Sequence, residues 1–272
     1  MPADDLPPLR DVIAEHGLGA KKKLGQHFLL DLNLTRRIAR EAGDLAGKTV
    51  LEVGPGPGGL TRALLETDAA QVIAIERDER CIRALAPLQD RYGDRFRLIE
   101  ADALTIAIED LTDLPLTIVA NLPYNVATPL MIAWLRQRQL VSSMTVMVQN
   151  EVADRLVAGP GTKSYGRLAV LAHWLSSPRK VMHVPASAFT PPPRVESAVV
   201  RMDLRDEPLI DVPFEAIEFI TAKAFGQRRK MLRQSLKALN LDLAALDIDP
   251  TARPENLDVE QFCRLAGAAK PG

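Results

Sequence analysis

The apolar run Thr49–Val53 passes directly into Gly54-Pro55-Gly56-Pro57-Gly58-Gly59, and a helical pattern follows over residues 61–66. A strand that ends in a glycine-rich turn and feeds a helix is the opening unit of a parallel α/β layer. Further short apolar runs at 72–75, 96–99, 116–120 and 144–148 read as buried strands. Helical stretches over 79–89 and 128–136 fall among them, so the expected architecture is a mainly parallel sheet covered by helices on both faces. Pro191-Pro192-Pro193 interrupts the series, and 195–204 then alternates like a half-exposed strand. After residue 205 the β pattern stops, and 214–225, 228–239 and 259–266 are expected to be helical.

These patterns divide the 272 residues into an N-terminal stretch over 1–20, expected to be mobile, an α/β domain over 21–204, and a small all-helical domain over 205–272. With 47% hydrophobic and 25% charged residues, the composition is that of a globular chain, not a disordered or collagenous one. The net charge of −1 supplies no global attraction for polyanions, so a nucleic-acid site has to be a local patch. Cys81 and Cys263 are far apart and form no C-x-x-C pair, which argues for a reduced compartment and against a structural zinc site. The longest apolar stretches fall far short of the roughly 18–20 residues that cross a bilayer, and acidic residues 4, 5, 11 and 15 are unlike a secretion signal. A cytoplasmic chain with no metal is expected, and with no heptads its default state is a monomer.

Taken literally, Gly54, Gly56 and Gly59 satisfy G-x-G-x-x-G, in which glycine lets the backbone approach a ligand closely. The second strand ends in Glu76, 20 residues after Gly56, where a carboxylate can accept hydrogen bonds from a ribose. An adenosine-containing ligand is therefore expected at the carboxyl edge of the sheet, with NAD and S-adenosylmethionine both open. Glu52, two residues before the first glycine, gives E-x-G-x-G, which looks like the methyltransferase version of the loop. The third strand ends in Glu100-Ala101-Asp102, and Asp102 suits the exocyclic amine of an adenine.

The fourth strand ends in Asn121-Leu122-Pro123-Tyr124, which resembles the motifs of enzymes that methylate exocyclic amino groups of bases. The chemistry explains the residue types. The N6 lone pair of adenine is delocalised into its ring and is a poor nucleophile. The Asn121 side-chain oxygen and the Leu122 carbonyl can each accept one N6–H, which fixes the nitrogen and raises its electron density. Pro123 stiffens the turn, and Tyr124 offers a face for a flipped-out base. A sulfonium methyl is already activated, so no general base is needed; His173 and His183 are read as structural.

Together with 24–29 (Leu-Gly-Gln-His-Phe-Leu), 149–152, 155–158, 163–168, 189–195 and 224–230, these motifs resemble the ribosomal RNA adenine N6,N6-dimethyltransferase family, in particular its bacterial small-subunit branch, from residue 21 to about 265. The resemblance implies a Rossmann-like class I methyltransferase domain with a small helical C-terminal domain. It places S-adenosyl-L-methionine on His27, Leu29, Gly54, Glu76, Asp102 and Asn121, alongside Gly56 from the glycine loop. Position 27 departs from a common family pattern, in which Asn precedes Phe-Leu; His can still donate to a cofactor carboxylate. Phe189 falls where the family places a second aromatic, so a sandwich of the target base between Tyr124 and Phe189 is expected. The implied substrate is a pair of adjacent adenosines in the 3′-terminal hairpin of 16S rRNA, within an immature 30S subunit, each methylated twice, with a further role in subunit biogenesis.

Two basic clusters are candidates for gripping that RNA. One is Lys21, Lys22 and Lys23; the other is Lys223, Arg228, Arg229, Lys230, Arg233 and Lys237 on an expected helical hairpin. Residues 205–272 hold 10 Lys+Arg and 11 Asp+Glu, so this segment is polarised rather than basic. Three other readings explain less. A dehydrogenase leaves Asn121–Tyr124 without a role, and a DNA adenine methyltransferase normally has a larger target-recognition region. A binding-only assembly factor leaves the base-methylation motif unused.

Overall fold

The computed structural model describes residues 6–19 and 27–269. Lys21, Lys22 and Lys23 lie outside the described residues. The chain divides into two compact units, Met1–Ala153 with Lys180–Met202, and Asp154–Arg179 with Asp203–Gly272.

The first unit begins with helix α1 (Leu9–Glu15), which buries Leu9 and Val12. The Arg62 guanidinium donates to the Pro7 carbonyl at 2.7 Å and Arg80 donates to the Gly17 carbonyl at 2.9 Å. The expectation of a mobile stretch over 1–20 thus differs from what residues 6–19 do: three apolar side chains, Leu9, Val12 and Leu18, are spent on the core. The two-residue strand β1 (Phe28–Leu29) leads to α2 (Leu32–Glu41), capped by the Asp31 carboxylate, which accepts from Asn33 N–H.

Strand and helix then alternate: β2 (Thr49–Val53), α3 (Gly59–Leu65), β3 (Gln71–Glu76), α4 (Glu79–Tyr92), β4 (Phe96–Glu100), β5 (Leu116–Asn121), α5 (Ala127–Arg136) and β6 (Val141–Gln149). The β2, β3 and β5 strands are buried at nearly every position, which is why they read as continuous apolar runs in the sequence. After α6 (Asn150–Leu156) and α7 (Arg167–Leu175) come β7 (Ser176–Val184), β8 (Phe189–Thr190) and β9 (Ser197–Leu204). The main sheet has the order β4-β3-β2-β5-β6-β9-β7, and β4 through β6 are parallel. Strand β9 is not half-exposed as its alternation suggested: it lies inside the sheet, with Ser197 through Val200 all buried.

The chain leaves β2 toward β3 and β4 on one side and returns to β5 and β6 on the other. The β2/β5 boundary is therefore the switch point, where the connections diverge and a crevice opens beyond the carboxyl ends of the strands.

The second unit is mostly helical: α7, α8 (Phe214–Gly226) and α10 (Val259–Ala268) pack on one another, with the short α9 (Leu232–Ser235) between the last two in sequence. Trp174 donates its indole N–H to the Ile210 carbonyl at 2.9 Å, and Arg167 pairs with Glu218 at 2.6 Å. Tyr165, Phe225 and Phe262 form an aromatic cluster. A single cut at residue 205 misses that 154–179 joins this unit, because the apolar positions of α7 find their partners on α8 and α10.

Candidate active site

The glycine turn closes the carboxyl end of β2. Gly56 has φ +57°, in the left-handed region that glycine alone adopts freely, and a Cβ there would come within 3.1 Å of the Phe28 ring. Gly59 is constrained differently: a Cβ would sit 2.6 Å from the Leu29 carbonyl oxygen, so glycine is what lets β1 lie against the start of α3.

Glu76 ends β3 and is buried. Its carboxylate accepts N–H bonds from Gly56 at 3.2 Å, Arg77 at 2.8 Å and Asp78 at 2.9 Å, which aim it at the crevice and tie it to the glycine turn. Asp102 caps the turn after β4, accepting from Leu104 N–H at 3.0 Å, and its second oxygen meets the Arg77 guanidinium at 3.2 Å. Asn121 ends β5, and its side-chain amide donates to the His27 carbonyl at 3.5 Å. The turn after it is fixed by backbone bonds: Leu122 N–H donates to the Met147 carbonyl, while the Pro123 carbonyl accepts from Val126 and Ala127 and so starts α5.

These groups surround one cleft with about 1070 Å³ of space, open to solvent. Ten of the sequence-selected residues line it: His27, Leu29, Gly54, Gly56, Glu76 and Asp102 on the glycine-loop side, and Asn121, Leu122, Pro123 and Tyr124 on the other. Phe189 does not. It is 3% exposed, paired with Leu29 across the β1–β8 ladder, and touches the His27 ring edge-on at 6.5 Å. His27 itself uses Nδ1 on the Pro191 carbonyl at 2.8 Å, and its ring stacks on Tyr124 at 5.8 Å and 28°. Burial pushes the Tyr124 phenol above its usual pKa, a hydrogen bond with Ser197 working against the shift, so it stays protonated in the neutral range.

Sequence reasoning passed over Arg77, Phe28 and Leu104 as lining residues. Arg77 adjoins Glu76 and was within reach; exposed Leu104 carries no motif. Glu52, seen only as part of the loop signature, lines the floor with 1% exposure. Burial pushes its pKa to about 8; Thr61 pulls it down, and Glu76 pushes it further up. Neither Glu52 Oε2 nor Thr61 Oγ1 completes a hydrogen bond of good geometry, so burial governs and the carboxyl is held neutral at pH 7.

In the second unit the basic residues do not form a helical hairpin. Helix α8 stops at Gly226, and the expected second arm, 228–239, holds only the one-turn helix Leu232–Ser235 and a 3-10 turn at Lys237–Leu239. Leu232 N–H bonds to Ala252 O and Arg233 N–H to Pro250 O, so partners distant in sequence replace helical ones. Arg229, Lys230, Arg233 and Lys237 are exposed. Lys223 is exposed too, its ammonium 5.5 Å from the Phe219 ring centre. Arg228 is held by Glu255 at 3.0 Å.

The whole cleft lies within a segment, 17–270, that matches the family described as ribosomal RNA adenine dimethylase. The chain belongs to that family. As a member it is a methyltransferase, and the Rossmann-like fold follows. A protein of Xanthobacter autotrophicus described as ribosomal RNA small subunit methyltransferase A is 57% identical over 271 residues, covering 97% of this chain and 94% of that protein. One of the same description from Rhodospirillum rubrum is 55% identical over 270 residues, covering 98% and 94%. Among solved structures, a dimethyladenosine transferase from Plasmodium falciparum aligns with a TM-score of 0.77 at 26% identity, over 88% of this chain and 96% of that one. The 23S rRNA methyltransferase ErmE aligns with 0.69 at 27%, over 89% and 99%.

Proposed function

We propose that this family member transfers methyl groups from S-adenosyl-L-methionine to N6 of two adjacent adenosines in the 3′-terminal hairpin of 16S rRNA, giving N6,N6-dimethyladenosine. The carrying observation is that the Asn121–Tyr124 turn and the glycine loop with Glu76 and Asp102 open into one cleft. The residues fit the cofactor: a wide cleft at the switch point, the Gly56 backbone free of a side chain, and carboxylates at the ends of β3 and β4. Glu76 would hold the ribose hydroxyls and Asp102 the adenine amine. The cofactor supplies an electrophilic methyl on sulfur.

The chain's own part is alignment and electrostatics. Asn121 Oδ1 and the Leu122 carbonyl accept the two N6–H bonds of the target adenine. Rigid Pro123 keeps those acceptors fixed, and Tyr124 stacks on the extruded base. The proton left on N6 passes to water. The described RNA-facing candidates are the exposed Lys223, Arg229, Lys230 and Arg233, with Arg228 contributing less because Glu255 already neutralises it. The Lys21–Lys23 cluster and the buried Phe189 remain part of the proposal as supports of the RNA and of the base site. The setting proposed is a monomer acting in the cytoplasm on an immature small subunit. Within the described residues, no helix is long and apolar enough to cross a membrane.

The test uses methyl-labelled S-adenosylmethionine with four substrates: small subunits lacking the modification, naked 16S rRNA, large subunits and duplex DNA. Label is expected in the small subunits. Preferential labelling of large subunits or DNA would overturn the assignment of substrate.

A further inference from the structure

Ser197 opens β9 and is completely buried, and its hydroxyl lies 2.8 Å from the Tyr124 phenol oxygen. The two are 73 positions apart, so the bond ties the loop that follows β5 to a strand inside the sheet. The His27 ring stacks against Tyr124 and is itself anchored by Nδ1 on the Pro191 carbonyl. Tyr124 is thus held at its hydroxyl tip and along its ring. The phenol oxygen lies on the χ2 axis, so the Ser197 bond fixes the tip of the ring while the His27 stack restrains its plane, and a stacked base is placed only as well as the ring beneath it.

We propose that Ser197 is a positioning residue for methyl transfer, fixing where the Tyr124 ring stands so that a stacked adenine presents N6 to Asn121. This rests on Tyr124 being the stacking platform. Ser197 does not line the cleft.

The experiment compares the full chain with Ser197→Ala, Tyr124→Phe and the double variant. It measures kcat and KM on the nucleic acid that the wild type methylates, and cofactor Kd by calorimetry. Each single change is expected to lower kcat about five-fold, the equivalent of about 1 kcal/mol for one neutral hydrogen bond, with cofactor Kd unchanged. Because both delete the same bond, the double variant should be no slower than the slower single. Wild-type kcat in either single variant, additive losses in the double, or a weakened cofactor Kd that accounts for the loss would overturn the inference. Tyr124→Phe leaves Ser197 packed as it is, so it decides the matter if Ser197→Ala does not fold. A wild-type chain that methylates no nucleic acid overturns both this inference and the proposed function; an active wild type with unaffected variants overturns this one alone.

Discussion

Gly59→Ala separates two effects of opposite sign. Gly59 is the first residue of α3, and alanine in a helix is worth about 0.5–1 kcal/mol over glycine when nothing obstructs it. Here the new methyl would lie 2.6 Å from the Leu29 carbonyl oxygen and 3.3 Å from the Leu9 side chain. The carbonyl belongs to β1, which is paired to β8 and cannot swing aside as a flexible side chain can. Restoring ordinary contact requires a shift of about 0.8 Å in paired backbone. Overpacking of that kind costs about 1–3 kcal/mol, so the clash outweighs the helix gain and leaves a net loss of about 1 kcal/mol. In thermal unfolding that is a fall in midpoint of about 2–4 °C. Leu29 and Gly59 also line the cleft, so calorimetry should find weaker S-adenosylmethionine binding in the same variant. A midpoint at or above wild type would mean that β1 and α3 are not in the contact described.

Two further outcomes follow from the charges. Glu52 has its pKa raised from 4.5 to about 8, so its contribution to stability is complete below 4.5 and is lost as pH rises through 8; Glu52→Gln should flatten the fall in urea midpoint between pH 5 and 9, and an unchanged slope would contradict the burial argument. Neutralising Arg228, Arg229 and Lys230 together should weaken binding to the RNA substrate and reduce the slope of log affinity against log salt by about 2, whereas identical binding at several salt concentrations would remove the cluster from the interface.

The sheet was legible because β2, β3 and β5, buried at nearly every position, are written as largely apolar runs, and the order of strand ends placed Glu76, Asp102 and Asn121 around one crevice. What escaped was set by contacts distant in sequence. Strand β7 follows α7 directly, and Pro178 near its start is unlike the interior of a strand. Residues 228–239 have helical spacing, but backbone bonds to Pro250 and Ala252 take the place of a continuous helix. The N-terminal helix is weakly periodic, and its anchoring by Arg62 and Arg80 across more than 50 positions leaves no local trace. The family resemblance puts Phe189 beside the target base, yet the β1–β8 ladder buries it, and the His27 ring stands on the cleft wall instead. Ser197 had no motif at all; only the fold brings it to Tyr124.

In the proposed function, Asn121 at the end of β5 activates the amine of a ribosomal adenine. The direct measurement is label transfer from methyl-labelled S-adenosylmethionine into unmodified small subunits by wild type and Asn121→Ala, with digestion of the rRNA to nucleosides. The wild type is expected to yield N6,N6-dimethyladenosine and the variant to lose about 10²-fold or more of it, with subunit binding retained. Tight binding of subunits by a wild type that transfers no methyl would contradict it and leave a docking protein built on a methyltransferase fold.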